Sequence, residues 1–166
     1  MSKTVKRLFE QFQPEHYELS LVPDAVKMTF SGSVTISGRK TGRPSQRLTF
    51  HQKGLSILAA KITYHGKKGD EHIPVERINC HGTFNEVRLH VKNMLYPGSY
   101  SVNIDFDGKL DGDISHILQK ILDSKKSFVP AELGDNTARK IFPCIDEPDA
   151  KTMVMIESTP PKKIEY

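Results

Sequence analysis

The feature that most restricts the fold of this chain is a two-residue alternation of apolar side chains in several short segments. A period of two places alternate side chains on the same face of a β-strand, so each segment predicts a half-buried strand. The alternating positions are, in chain order, Tyr17, Leu19 and Leu21; Phe30, Gly32, Val34 and Ile36; Leu48 and Phe50; Leu58, Ala60, Ile62 and Tyr64; Val87, Leu89 and Val91; and Tyr100, Val102, Ile104 and Phe106.

Turn signals separate these segments. Pro23 and Gly54 are predicted to end strands, "HGKKGDE" is predicted to be a hairpin connection, and "YPG" precedes the last alternating segment. Short strands divided by turns favour an antiparallel sandwich or curved sheet over a parallel βαβ arrangement. The predicted fold class is therefore mainly β.

One segment has a helical period instead. In "DISHILQKILDSKK" the apolar residues recur at the spacing of one helix face, and Asp113 is predicted to be the N-cap. The predicted short amphipathic helix would cover one edge or face of the sheet. Its apolar positions are Ile114, Ile117, Leu118, Ile121 and Leu122.

Length and composition indicate one soluble domain spanning residues 1–166, with 37% hydrophobic and 27% charged residues. No apolar run approaches the roughly 20 residues that cross a bilayer, so no membrane partner is expected. The N-terminus lacks the apolar stretch of a secretory signal, so a cytoplasmic location is expected. In that compartment Cys80 and Cys144 are expected to be reduced thiols rather than a disulfide.

The net charge of +4 is unevenly distributed. Residues 25–69 contain nine Lys or Arg and no Asp or Glu, which leaves the remainder with a charge of −5 (15 basic against 20 acidic residues). Such asymmetry can mark a surface that binds anions. No aromatic residue stands inside the basic stretch "SGRKTGRPSQR" to stack on a base, so no nucleic-acid partner is predicted. Docking of a basic face on an acidic protein surface remains open.

The segment "ARKIFPCIDEPDAK", residues 138–151, gathers prolines, a cysteine and adjacent carboxylates. Pro143 and Pro148 fix their own φ and restrict the residues before them, which predicts a rigid corner. An alternative is an acid/base pair made of Asp146 and Glu147. Neighbouring residues on an extended segment point to opposite faces, so convergence on one bond is disfavoured.

Two further chemical interpretations are weaker. Cys144 would need a base to act as a nucleophile, and no histidine lies near it in the sequence. The chain has seven histidines but no His-Glu-x-x-His motif for zinc. His72, Cys80 and His81 could approach each other on neighbouring strands, but ordinary sheet-surface roles are favoured. No metal site is predicted in this chain.

The same segment resembles a known signature. "ARKIFPCIDEPDAK" is similar to the Ala-Arg-x-x-Phe-Pro-Cys-x-Asp-Glu-Pro-x-x-Lys motif of the N-terminal domain of aminopeptidase N-like zinc metallopeptidases (gluzincin aminopeptidases). The stretches "HYELSLVPD" and "FSGSVTIS" resemble the opening strands of that domain, and "LYPGSYSVNIDFDGKL" resembles a later strand and turn. The resemblance covers residues 10–157.

The resemblance implies a saddle-shaped β domain that packs against a thermolysin-like catalytic domain. In that family the catalytic domain holds zinc through His-Glu-x-x-His and a later glutamate, and binds the substrate's amine with Gly-x-Met-Glu-Asn. Neither motif occurs in this chain. The chain is therefore expected to be the inactive N-terminal domain of a larger zinc aminopeptidase, whose partners are its own C-terminal catalytic domain and the peptide substrate.

The family resemblance also assigns roles to residues. Glu132 and Gly134 occupy positions where family members carry a Thr-Gln-x-Glu segment at the substrate pocket, so they are expected in one pocket wall. The Glu132 carboxylate could hold an ammonium group, although a solvated loop role is an equal alternative. The residues expected to form a structural corner motif, with Asp146 and Glu147 bound to backbone or to Arg139, are Arg139, Pro143, Cys144, Asp146, Glu147 and Pro148.

A different class of function stays open. The same β domain could be a stand-alone binding or scaffold protein without peptidase activity. Exposed apolar residues on one side of the isolated domain would favour the fragment of an enzyme.

Overall fold

A computed structural model describes residues 8–123, 127–128, 133, 137–147 and 152–156. Short 3-10 helices at Leu8–Glu10 and Ala138–Lys140 accompany the longer elements. Those elements are β1 (Phe12–Asp24), β2 (Thr29–Lys40), β3 (Ser45–His51), β4 (Ser56–Gly66), β5 (Gly69–Ile73), β6 (Arg77–His81), β7 (Glu86–Leu95), β8 (Gly98–Lys109), α1 (Gly112–Asp123), β9 (Ser127–Phe128) and β10 (Val154–Ile156).

The described strands form two open sheets, which confirms the mainly β fold class with one helix. The larger sheet has seven strands in the order β5-β4-β8-β2-β1-β10-β9, and the smaller has three in the order β3-β7-β6. Strand β10 runs parallel to β1, whereas the other pairings are antiparallel. This parallel pair is a departure, among the described strands, from the antiparallel arrangement that the sequence predicted. A parallel neighbour requires a long crossover, and most of the chain lies between β1 and β10.

The alternation predicted the core correctly in β1, β2, β7 and β8. Their alternate apolar side chains are buried and belong to one hydrophobic cluster. The ring centroids of Phe12 on β1 and Phe50 on β3 lie 5.5 Å apart in an edge contact that joins the two sheets. Burial of apolar surface from both sheets therefore holds them together.

Strand β4 departs from the predicted alternation. Its pairing with β8 shifts register between Ile57 and Ala59, which leaves Leu58 as an extra residue. Leu58 is 60% exposed, whereas Ile62 is completely buried. A β-bulge of this kind reverses the side of the sheet on which the preceding residues lie. The predicted hairpin after β4 is confirmed, because Gly66 pairs with Gly69 and Gly69 has a φ of +117°.

Helix α1 confirms the predicted amphipathic segment but begins two residues earlier than predicted. Asp111, not Asp113, is the capping residue, because its Oδ1 accepts the backbone N–H of Ile114 at 3.0 Å. An N-cap side chain bonds to the amide of the second or third helical residue, and Ile114 is the third. Ile114, Leu118 and Ile121 are buried. None of the helices in the described ranges is long and apolar enough to cross a bilayer.

Candidate functional site

The described part of the signature, residues 138–147, lies in the segment 137–147, which we call the corner segment. It begins with the 3-10 turn Ala138–Lys140 and packs along the edge of β3. Cys144 and His51 form a two-way backbone bridge, with N–H to O distances of 2.7 and 3.1 Å, and Lys53 N–H donates to the carbonyl of Arg139 at 2.9 Å. These bonds fix the corner segment against the smaller sheet.

Apolar burial holds the middle of the corner segment. Ile141, Phe142, Cys144 and Ile145 have no exposed surface. The Phe142 ring makes edge contacts with Tyr17 and Phe128, with centroids 6.2 and 6.0 Å away. The segment is therefore part of the hydrophobic core rather than a surface loop.

Tyr17 also supports the corner segment through its hydroxyl. The backbone N–H of Ile145 donates to the Tyr17 hydroxyl oxygen at 3.0 Å. Burial raises the pKa of Tyr17 well above its usual value, because the phenolate would be desolvated. The hydroxyl therefore acts as a neutral acceptor for an amide that has no access to water.

His51 meets the next residue of the segment. Its Nδ1 accepts the backbone N–H of Asp146 at 3.0 Å, so the ring proton belongs on Nε2. Burial, and secondly the positive charge of Arg139, lowers the pKa of His51 to about 4. The imidazole is therefore neutral at pH 7, and its Nε2 lies 3.9 Å from Oε2 of Glu147.

The carboxylate of Asp146 binds Arg139 across the corner. Arg139 Nε donates to Asp146 Oδ2 at 3.0 Å, and Nη2 donates to the Asp146 carbonyl at 3.0 Å. The two side chains are only 11% and 7% exposed. A charge pair so far removed from water needs both partners, since either charge alone would be desolvated without compensation.

Glu147 binds a distant part of the chain. Its two carboxylate oxygens accept the backbone N–H groups of Leu8 and Phe9, at 2.8 and 2.9 Å. These amides open the 3-10 helix Leu8–Glu10, whose first N–H groups have no partner within the helix. The carboxylate therefore fastens the start of the described chain to the corner segment.

These contacts bear on the acid/base alternative. Asp146 faces Arg139 and Glu147 faces two backbone amides, so each carboxylate has its own partners. The two groups therefore do not converge on a common site. Burial likewise raises the pKa of the Cys144 thiol well above its usual value, so it stays protonated and is a poor nucleophile.

The described residues also allow a test of metal binding. They contain no group of three or more His, Cys, Asp or Glu side chains that could hold a metal ion. His72 lies on β5 of the larger sheet, whereas Cys80 and His81 lie on β6 of the smaller one. Both cysteines are free thiols, with Cys80 exposed and Cys144 buried. The described part of the chain therefore does not fit a zinc site.

Three of the predicted site residues, Glu132, Gly134 and Pro148, lie outside the described residues. Sequence reasoning in turn missed Tyr17 and His51 as partners of the corner segment. The alternation placed the Tyr17 ring in the core but carried no signal for its hydroxyl bond to Ile145. No local pattern marked His51, because its partner Asp146 lies 95 residues away in the sequence.

Comparison with known proteins decides the family. The model of the peptidase M1 N-terminal domain matches residues 13–164. The chain belongs to this family. The resemblance to the N-terminal domain of aminopeptidase N-like enzymes is thereby confirmed.

The curated relatives of this M1 N-terminal domain are aminopeptidases. It is 28% identical to aminopeptidase N of Lactobacillus delbrueckii subsp. lactis over 89% of the chain, and 28% identical to aminopeptidase A of Gloydius brevicauda over 92%. It is also 28% identical to glutamyl aminopeptidase of Sus scrofa over 95% of the chain. The matched parts make up only 16%, 16% and 17% of these relatives.

Proposed function

We propose that this M1 N-terminal domain is the non-catalytic first domain of a cytoplasmic zinc aminopeptidase, which removes N-terminal amino acids from peptides. The observation that carries the proposal is the family match over residues 13–164, together with aminopeptidase relatives of which the chain covers about a sixth. A domain of this proportion belongs to a much longer polypeptide in each relative. The domain boundary of residues 1–166 and the separate catalytic domain are part of the proposal.

The proposed chemistry lies in the catalytic domain. Zinc there would polarise the peptide carbonyl and activate a water molecule. Within the described residues the carboxylates of Asp146 and Glu147 are bound to Arg139 and to backbone amides, which supports a structural role for this part of the chain. The proposed contributions of the chain are an interdomain surface and one wall of the substrate pocket.

The pocket wall is proposed for the stretch just before the corner segment, at Glu132 and Gly134. The corner segment begins three residues after Gly134 and is held by the bridge between Cys144 and His51. A stretch that ends on a core-packed segment has one end fixed, which suits a wall that must keep its position. The carboxylate of Glu132 would bind the ammonium group of the substrate.

The interdomain surface is supported by apolar side chains that the described domain leaves in water. A partner domain that packs on this chain would remove such side chains from water. The large hydrophobic residues that are at least 41% exposed are Val22, Val26, Met28, Leu58, Phe84, Met94, Tyr96, Met153 and Met155.

An activity assay tests the proposal that the peptidase activity lies in a separate catalytic domain and not in this chain. The chain of 166 residues and the native polypeptide, captured from its source with an antibody against this domain, are each incubated with aminoacyl-4-nitroanilides. We expect hydrolysis by the captured polypeptide, its loss with a zinc chelator, and none by the chain alone. A chelator-insensitive activity of the isolated chain would contradict the proposal, as would a captured polypeptide without activity on any aminoacyl group.

A further inference from the structure

The outer face of the three-stranded sheet carries a concentration of positive charge. Along β7 the residues Leu89 and Val91 point into the core, so by alternation Arg88, His90 and Lys92 lie on the opposite face. The strands on either side add Arg47 and Arg77 to the same face. We call Arg47, Arg77, Arg88 and Lys92 the arginine face.

The strand register places two of these cations, Arg47 and Arg77, on either side of His90. His90 on β7 pairs with Arg47 of β3 on one side and with Arg77 of β6 on the other. The three residues therefore form one rung across the sheet. Neighbouring strands are about 4.8 Å apart, so the backbones of Arg47 and Arg77 are separated by about 10 Å.

The cations of this face differ in whether a described residue binds their charged groups. Arg88 donates to Oε1 of Glu86 from Nε at 3.3 Å and from Nη2 at 3.1 Å, and it lies 6.0 Å from the centre of the Phe84 ring. Arg47 and Arg77 are exposed, and neither forms an ion pair with any residue that the structure describes. The acidic groups nearest in sequence are Glu86, already bound to Arg88, and Glu76, one residue before Arg77.

The positive charge of the neighbouring arginines affects the pKa of His90. Burial lowers the pKa of His90, and the positive charges of Arg77, Arg47 and Arg88 lower it further. Its Nε2 is buried and has no hydrogen-bond partner among the described residues. The arginines therefore act together on His90, although no two of them stand directly opposite each other in the sheet.

We infer that the arginine face is a docking surface for an acidic polypeptide segment. Its cations are spread over the sheet: Arg88 and Lys92 are four residues, or about 13 Å, apart along β7, and Arg47 and Arg77 lie to either side. An extended acidic segment presents carboxylates on one side about every 7 Å, which matches this spread better than one phosphate group does. Arginine binds carboxylates in a bidentate manner, which adds specificity to the charge attraction.

Nucleic acid fits the face less well. Single strands bind proteins by stacking bases on aromatic side chains as well as by charge. Phe84, the aromatic residue beside this face, is already stacked on His81 with centroids 5.0 Å apart. The described surface therefore offers several cations beside an aromatic ring that already contacts His81 and Arg88.

A binding titration tests this inference with a blocked hexaglutamate peptide as the probe. We expect saturable binding to the full chain at physiological ionic strength, with weaker binding at high salt. The double variant Arg47→Gln/Arg77→Gln should weaken binding by about tenfold or more, since each lost charge-assisted contact has a substantial energy. Both residues are exposed, so this variant should keep the melting temperature of the parent chain.

A matched variant separates the arginine face from general charge. Lys67→Gln/Lys68→Gln removes the same charge from the β4–β5 hairpin and should leave peptide affinity within about twofold. Bound peptide should also raise the pKa of His90, followed by NMR of its ring protons, because carboxylates offset the neighbouring arginines. Absence of binding, equal weakening by both double variants, or tighter binding of single-stranded DNA or inorganic phosphate than of the peptide would overturn the inference.

Discussion

The Nδ1 atom of His51 accepts the backbone N–H of Asp146 at 3.0 Å, and this bond joins the end of β3 to the corner segment. The bond requires an unprotonated Nδ1, and burial lowers the pKa of the ring to about 4. In the unfolded chain the same ring titrates near its ordinary value of about 6.5. The folded domain therefore binds fewer protons at this residue than the unfolded chain does at mildly acidic pH.

Stability should consequently fall as the pH falls through this window. The contribution of His51 is complete above about pH 6.5 and is lost progressively as the pH decreases to about 4, a total of about 3 kcal/mol. Urea unfolding at a series of pH values measures it. His51→Asn keeps an acceptor for the Asp146 amide but cannot titrate, so its free energy of unfolding should depend less on pH in this range.

His16 is the matched control for this prediction. Its side chain is 48% exposed on β1, so the variant His16→Asn should keep the pH dependence of the parent chain. A His51→Asn variant with an unchanged pH dependence between about 4 and 6.5 would contradict the assignment of a neutral, buried His51.

The ion pair between Arg139 and Asp146 should contribute strongly to the stability of the folded domain through the corner segment. Asp146→Asn leaves the guanidinium of Arg139 in a site that is 11% exposed without its counter-charge. Loss of one member of such a buried pair typically costs about 3 kcal/mol. Chemical denaturation measures this cost. Asp70→Asn removes the carboxylate of an exposed pair with His65 and should change stability by about 0.5 kcal/mol or less; equal effects of the two variants would count against the prediction.

The Glu147 carboxylate should hold the 3-10 helix Leu8–Glu10 against the corner segment. Glu147→Gln replaces one of the two accepting oxygens by an amide donor, so one of the N–H groups of Leu8 and Phe9 loses its acceptor. The expected cost is about 1–2 kcal/mol. Amide hydrogen exchange at Leu8 and Phe9 should become faster, whereas Glu15→Gln, at an exposed position of β1, should leave it unchanged. Unchanged exchange in Glu147→Gln would show that the carboxylate does not hold this turn.

The capping residue of α1 gives a direct test of the structure against the sequence pattern. Asp111→Ala removes the acceptor for the Ile114 amide and should lower stability by about 1 kcal/mol. Asp113→Ala removes the residue that the pattern favoured, and it should have a smaller effect, limited to its charge near the helix N-terminus. Thermal unfolding of both variants checks the order, and a larger loss in Asp113→Ala would reverse the assignment.

The sequence predicted those features that depend on local spacing. Alternation identified the buried residues of β1, β2, β7 and β8, and the helical period identified α1. It misplaced the N-cap by two residues, because Asp111 and Asp113 are chemically equivalent candidates until the path of the chain is known. The alternation also predicted that Leu58 is buried. Nothing in the local pattern signals the bulge that β4 forms against β8.

In the candidate site, too, local sequence patterns identified some residues and missed those that come from distant parts of the chain. The signature residues Arg139, Asp146 and Glu147 could be recognised from the sequence as members of one motif. The partners that complete the group are Leu8, Tyr17 and His51, which come from other parts of the chain. Contacts between residues separated by more than 90 positions follow from sheet topology, which no single-sequence pattern contains.

The proposed role as one domain of a zinc aminopeptidase is tested most directly by the intact mass of the native protein. The protein would be captured from its source with an antibody against this domain, and its mass and zinc content would be measured on the same sample. We predict a polypeptide several times longer than 166 residues that carries one zinc ion. A metal-free species of 18.7 kDa would contradict the proposal and would favour a domain that works alone as a binding module.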